Sequence, residues 1–444
     1  MLKKISYMLA TSLILSGCDG KKNIVLNGER ENFLKLSPKL IATSKIKPHF
    51  SGNELVNLSW PDHKGLTLSF MPKLAEKPNT LWSISAGSPQ TREQRTLQAP
   101  VVQDNTLYIL DSSGVLTAYQ LDFSKSSDQP QKSNIQLMNS PKQTWRFETL
   151  TEDMKAQSIG SGFFTFHRNM IYITTSVGEL IALNAKDGSL VWRKSGYPPF
   201  RTAPCIFGDK LIALSANNEV NTVKLSNGEK LWTHTGVTEA TQLMQAATPI
   251  EASNTVIVAY SSGEIYALNG TTGHVLWSDT LTPVARIDTV TGMPHISANP
   301  LLDDNHVYVV SHGGKTAALN FITGARVWEK DVGGSINPIL YGDFMYLISN
   351  ENELVCLHKK TGDVAWITLL DHDKNENRRV CAGLILAGNQ IIINTNLGEI
   401  LFFDINTGKQ KQAIKNKSSF SLSPTIAHET LILIDEDANL YGYA

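Results

Sequence analysis

One phrase recurs along this chain: a short apolar run, a Gly turn, and a Trp four residues after that Gly. It is clearest as Gly263-Glu264-Ile265-Tyr266-Ala267-Leu268-Asn269 followed by Gly273 and Trp277. Copies end at Gly188 and Trp192, Gly228 and Trp232, Gly324 and Trp328, and Gly362 and Trp366. A degraded copy at Gly408 carries Gln412 where the Trp would stand. The five steps from 192 to 412 average 44 residues. A period of that length, rich in short strands, is the signature of four-stranded propeller blades. Within the phrase, Ile265, Ala267 and Asn269 alternate with Tyr266 and Leu268, as suits a strand buried unequally on its two faces. Thr-Gly pairs at 272–273, 323–324, 361–362 and 407–408 supply hairpin turns. The evenly spaced Trp side chains are read as wedges between blades rather than as a ligand stack.

Each unit opens on small residues or a Pro. Ala99-Pro100, Gly160, Ala203-Pro204, Thr248-Pro249, Asn299-Pro300, Asn337-Pro338 and Ala382-Gly383 open seven units, and Ser423-Pro424 opens an eighth. The eighth runs out at Ala444, one strand short. Thr80-Leu81-Trp82-Ser83-Ile84 matches the missing Trp strand. An open ring would expose strand edges, a standing aggregation hazard. The fold class expected is therefore all-β: an eight-bladed propeller of four-stranded antiparallel blades over 80–444, its last blade closed by an N-terminal strand.

The segment 1–17 reads as an export signal. Lys3 and Lys4 precede a short apolar run, and Leu15-Ser16-Gly17 ends in small residues before Cys18. Leu15 to Cys18 resembles a bacterial lipobox, which implies cleavage before Cys18 and a lipid on its sulfur. That lipid would tether a soluble domain to a membrane. The stretch 18–79 lacks the repeat and is read as a lipid-anchored tether and N-terminal extension. In that stretch Trp60 is expected to pack on the ring.

At 444 residues the chain could hold about three domains, but the repeat assigns most of it to one ring. A net charge of -1 argues against nucleic acid as a partner. Cys205, Cys356 and Cys381 leave two readings open: a bridge between Cys356 and Cys381, or small buried hydrophobes, the second being expected. No Gly-x-Ser-x-Gly elbow, phosphate-cradling Gly loop or metal-ligand spacing of His is found, so no catalytic, cofactor-binding or metal residue is assigned. His312-Gly313-Gly314 is read as a turn. His372, within the charged run Asp371 to Arg379, is read as part of a solvated loop.

The repeat resembles the PQQ-type propeller repeat from about residue 80 to the end. Two families share it. Quinone-dependent dehydrogenases are usually longer and carry an adjacent Cys-Cys pair that is absent here. The chain is more similar to the BamB family, in its lipobox, tether and eight repeats. That resemblance implies a non-enzymatic scaffold of the outer-membrane β-barrel assembly machinery, monomeric within its complex, which docks BamA-like POTRA domains and assists barrel insertion. It also implies a contact surface on the connectors between blades. Phe200-Arg201, ahead of Ala203-Pro204, resembles a Leu-Arg element of the family, and Arg286-Ile287-Asp288 resembles an Arg-Leu element followed by acidic residues. Phe200, Arg201, Arg286 and Asp288 are thus the partner-binding candidates. The implied location is the periplasmic face of the outer membrane. Asp19, next to Cys18, resembles an inner-membrane retention signal of enteric bacteria and makes the inner membrane the alternative. The alternative functions are a quinone-dependent dehydrogenase and a propeller serving another envelope partner.

Overall fold

The computed structural model describes residues 40–43, 46–50, 54–57, 59, 66–125, 135–137, 140–155, 160–239, 245–281, 294–303, 305–370 and 377–444. Each copy of the repeat becomes one antiparallel sheet. Blade 4 shows the pattern: Ile250–Ala252, Thr255–Ala259, Glu264–Asn269 and Val275–Thr280 pair in chain order. The first strand is short and faces the ring centre, and the fourth is the outer edge. Blades 1 to 7 begin at Val101, Gly162, Cys205, Ile250, Leu301, Ile339 and Cys381. Blade 8 takes three strands from the C-terminus, Thr425–Ala427, Thr430–Ile434 and Asn439–Tyr443. Its fourth is Thr80–Ser85, with Leu440 opposite Ile84 and Gly442 opposite Trp82. Asn79 and Ala444 exchange backbone hydrogen bonds at 2.8 and 3.0 Å, so the two ends stand in for the missing turn. Beyond the blades there is a hairpin of Phe123–Lys125 and Ile135–Leu137 and one helical turn, Glu152–Lys155.

The Trp of one blade lies on the Gly turn of the next. A Cβ on Gly324, whose φ is +71°, would sit 2.7 Å from a ring carbon of Trp277. The Trp277 indole N–H donates to the Phe321 carbonyl in that same turn, at 2.8 Å. The contact recurs from Trp145 on Gly188 to Trp366 on Gly408. The turns are built alike: Asn320 Oδ1 accepts the N–H groups of Ile322 and Thr323, and Asn269 and Asp404 act likewise in their own turns. Gln412 departs from the pattern for a physical reason. Blade 8 has the paired Asn79 and Ala444 where the Gly turn would be, so a Trp at 412 would have no turn to cover. The Gln412 amide instead donates to the Glu76 carbonyl at 3.3 Å.

The apolar core follows the same plan. Eight buried clusters each join two neighbouring blades, such as Ile257, Ala267 and Trp277 of blade 4 with Val307 and Leu319 of blade 5. Burial between blades is what fixes their angular spacing.

Described residues ahead of Thr80 pack on the ring. The compact unit runs from Pro38 to Ala444. Turns between first and second strands share one face of the ring, and the described N-terminal residues lie on that face. Phe50 packs against Tyr341 and Phe344 of blade 6, with ring centroids 5.1 and 5.7 Å away. The Asn57 carbonyl accepts the His428 N–H of blade 8, and Ser59 Oγ accepts the Asp104 N–H of blade 1. Leu66–Leu68 then enters the ring and pairs in parallel with Ile339–Tyr341, the first strand of blade 6. Met71–Pro72 returns beside Glu54–Leu55, and the Pro72 carbonyl accepts the Gly388 N–H of blade 7. These residues form a strap over blades 6, 7, 8 and 1. Cys18 and Trp60 lie outside the described residues.

Candidate functional site

The connectors from each fourth strand to the next first strand share the opposite face with the turns between second and third strands. Their inner ends are fixed by a belt of side-chain hydrogen bonds. Asn337 Oδ1 accepts the Asn299 N–H, and Asn299 Oδ1 accepts the Thr248 N–H, both at 2.8 Å. Thr248 and Thr202 hydroxyls meet at 3.1 Å, and Thr174 donates to the Thr202 carbonyl at 2.7 Å. Gln98 bonds both backbone groups of Phe164. A Pro follows Asn299, Asn337 and Thr248, holding each of those residues in extended backbone where its side chain can reach the next connector.

Phe200 and Arg201 sit in the connector from blade 2 to blade 3. Phe200 is only 1% exposed. Its N–H donates to Thr175, it bridges to Ser215, and its ring lies 5.6 Å from that of Tyr197. The connector turns its ring into the core cluster of blades 2 and 3, where it holds the loop. Arg201 is half-buried, its carbonyl accepts the Ala246 N–H at 3.1 Å, and burial holds its guanidinium below the ordinary value. It still remains protonated at neutral pH.

Around Arg201 the fold gathers residues that local sequence did not single out. Gln245, from the connector leaving blade 3, donates to the Leu97 carbonyl at 2.6 Å and so reaches the connector that enters blade 1. His295 is 2% exposed, and burial, then the neighbouring His312 and Arg201, pushes its pKa down to about 4. His295 is therefore neutral near pH 7. The His295 carbonyl accepts the His312 N–H at 2.8 Å, and the 312–314 segment is the turn expected of it. Four connectors and the 312–314 turn of blade 5 thus converge on a polar patch around the positive charge of Arg201. No periodicity marks Gln245 or His295, because both lie where the repeat lapses. Arg286 and Asp288 fall outside the described residues, as does His372. Arg379, at the end of the run that contains His372, pairs with Glu399 at 2.7 Å.

Cys205, Cys356 and Cys381 are buried thiols outside any disulfide, so the Cys356–Cys381 bridge is not formed. Burial raises both the Cys356 and Cys381 thiols, the latter to about 12, which leaves them unreactive at neutral pH. Among the described residues no group of three or more His, Cys, Asp or Glu side chains converges as a cation site.

A family model described as outer membrane protein assembly factor BamB matches residues 131–368, more than half of the chain. The chain belongs to the BamB family. The Yersinia pestis protein named outer membrane protein assembly factor BamB is 21% identical over 85% of this chain and 92% of its own length. The crystal structure of BamB from Moraxella catarrhalis superposes with a TM-score of 0.64, at 16% identity, over 83% of this chain and 99% of that one. A europium-containing methanol dehydrogenase shares the fold as well, with a TM-score of 0.62 at 12% identity, covering 84% of this chain and 95% of its own. At such identities these structures speak for the propeller alone. BamB-family membership rests on the matched sequence.

Proposed function

We propose that this BamB-family propeller is a non-enzymatic scaffold of the outer-membrane β-barrel assembly machinery. Its connector face docks BamA-like POTRA domains, and a lipid on Cys18 holds it at the periplasmic face of the outer membrane. The observation that carries this reading is the meeting of separate connectors around Arg201 on the face opposite the N-terminal strap. A half-buried Arg is the kind of group that dominates interface energy. Arg286 and Asp288, which fall in sequence between the last strand of blade 4 and the first of blade 5, are proposed as part of the same contact. Within the ring, Leu66–Leu68 occupies the inner edge of blade 6. A quinone bound at the ring centre would have to share the channel with that strand, which favours the scaffold over the dehydrogenase reading.

Charge reversal tests the assignment. The double variant Arg201→Glu, Arg286→Glu should lower co-purification with the BamA-like subunit at least about tenfold, the effect of losing one strong interface contact. Its thermal melt should remain cooperative. Undiminished co-purification by a folded double variant would remove these residues from the contact.

A further inference from the structure

Leu66–Leu68 shows what the inner edge of a blade can accept. Leu66, Thr67 and Leu68 lie in register with Ile339, Leu340 and Tyr341, and make blade 6 a five-stranded sheet. The segment alternates apolar and polar residues, Leu66-Thr67-Leu68-Ser69-Phe70. Thr67 also donates to the Leu302 carbonyl in the first strand of blade 5, at 2.9 Å. Strand addition of this kind draws affinity from the main chain and selectivity from pockets for alternate side chains.

The other half of the channel holds a cavity of about 760 Å³, bounded on its near side by Thr67 and Leu302. It continues along the first strands of blades 4, 3 and 2 and opens on the turn face. Phe166, Met170, Ile206, Leu225 and Ile250 give it apolar walls, while Arg168, Asp209 and Glu251 bring charge to it. Its volume falls in the range of binding sites rather than packing defects. Ile250–Ala252 is the terminal strand of its sheet, paired with Thr255–Ala259 alone among the described residues. Blade 4 therefore presents to the cavity the kind of edge that blade 6 has already filled.

We propose that this half of the channel is a strand-addition site for an extended peptide whose apolar and polar side chains alternate, paired to Ile250–Ala252. The main chain of the peptide takes up the edge of blade 4. Its apolar side chains enter the space between Phe166, Ile206 and Ile250, and its polar ones turn toward Arg168, Asp209 and Glu251. The occupancy of blade 6 by Leu66–Leu68 argues for a peptide over a compact ligand, since the same channel already holds one strand in this manner. The source of the peptide rests on the assembly-factor reading: strands of outer-membrane barrels alternate in this way. Binding itself does not depend on that reading.

The test uses the purified full chain and a fluorescein-labelled peptide copying residues 64–72, followed by fluorescence anisotropy. Saturable binding is expected, and at least tenfold weaker binding for the same peptide N-methylated at its Leu66, Thr67 and Leu68 positions, which removes main-chain donors but keeps the side chains. Ile206→Trp, which fills the cavity, should weaken binding of the unmodified peptide to a similar degree. Ser226→Trp at the exposed lip serves the same purpose if Ile206→Trp does not fold. Arg201→Glu lies on the opposite face and should bind the peptide as well as the unaltered protein, even where co-purification with the BamA-like subunit is lost. Absence of binding, equal binding of the methylated peptide, or indifference to a folded cavity-filling variant would each overturn the proposal.

Discussion

Deleting Thr80–Ser85 is expected to abolish the closed ring. Without that strand, blade 8 keeps three strands and Asn439–Tyr443 becomes an open edge. The cluster joining blades 8 and 1 loses Trp82 from among Val102, Leu107, Ile109, Ile432 and Leu440. Truncating one buried Trp alone costs about 3–5 kcal/mol. That is comparable to a large part of the stability of a typical domain, and the exposed edge adds a route to association. Gel filtration should show oligomers or aggregate, and the cooperative melt should be lost. A synthetic peptide spanning residues 78–86, supplied during refolding, should restore part of the monomer. A deletion variant that stays monomeric with an unchanged melt would show that the ring does not depend on this strand.

Gly324→Ala should destabilise the chain by about 3 kcal/mol, the sum of a backbone cost and a packing cost. Gly324 has a left-handed backbone, with φ at +71°. Holding a side chain in that conformation costs about 1–2 kcal/mol. The added Cβ would also meet the Trp277 ring at 2.7 Å. Overpacking of that kind costs about 1–3 kcal/mol. The two contributions separate in a double-mutant cycle. In a Trp277→Ala background the collision disappears and only the backbone cost remains, so coupling of at least about 1 kcal/mol is expected. Trp277→Ala alone should cost about 3–5 kcal/mol, since it empties the junction between blades 4 and 5. Urea unfolding of the four proteins supplies the cycle. Additive effects would mean that the indole does not rest on the turn, and the reading of the repeated Gly-to-Trp spacing would fail with it.

The ring was legible because its determinants are local and periodic. The Asn or Asp that caps the turns at 184, 269, 320 and 404, the Gly that makes each turn, and the Trp four residues on in most copies all lie within one copy of the phrase. Gln412 could be recognised as a lapse, but its cause could not, because that cause is the meeting of Asn79 with Ala444, far apart in sequence. The N-terminal strap was missed for a related reason. Leu66-Thr67-Leu68 is a very short strand whose partner, Ile339–Tyr341, lies most of the chain away, a contact that no short-range pattern encodes. Exposure was equally hidden at Phe200. An aromatic residue beside an Arg reads as a partner anchor, but the bonds of its backbone to Thr175 and Ser215 rotate it inward. Gln245 and His295 reach Arg201 only because their connectors leave neighbouring blades on one face of the ring.

The proposed meeting of this BamB-family ring with its partner, through the connector face around Arg201, is open to direct test. A photo-crosslinking amino acid placed at Arg201, and in a parallel variant at the exposed Thr271 on the opposite turn face, tests it in intact cells. Crosslinks from position 201 to the POTRA region of the BamA-like subunit, with none from position 271, are the predicted result. Crosslinks to that subunit from position 271 and none from position 201 would contradict it.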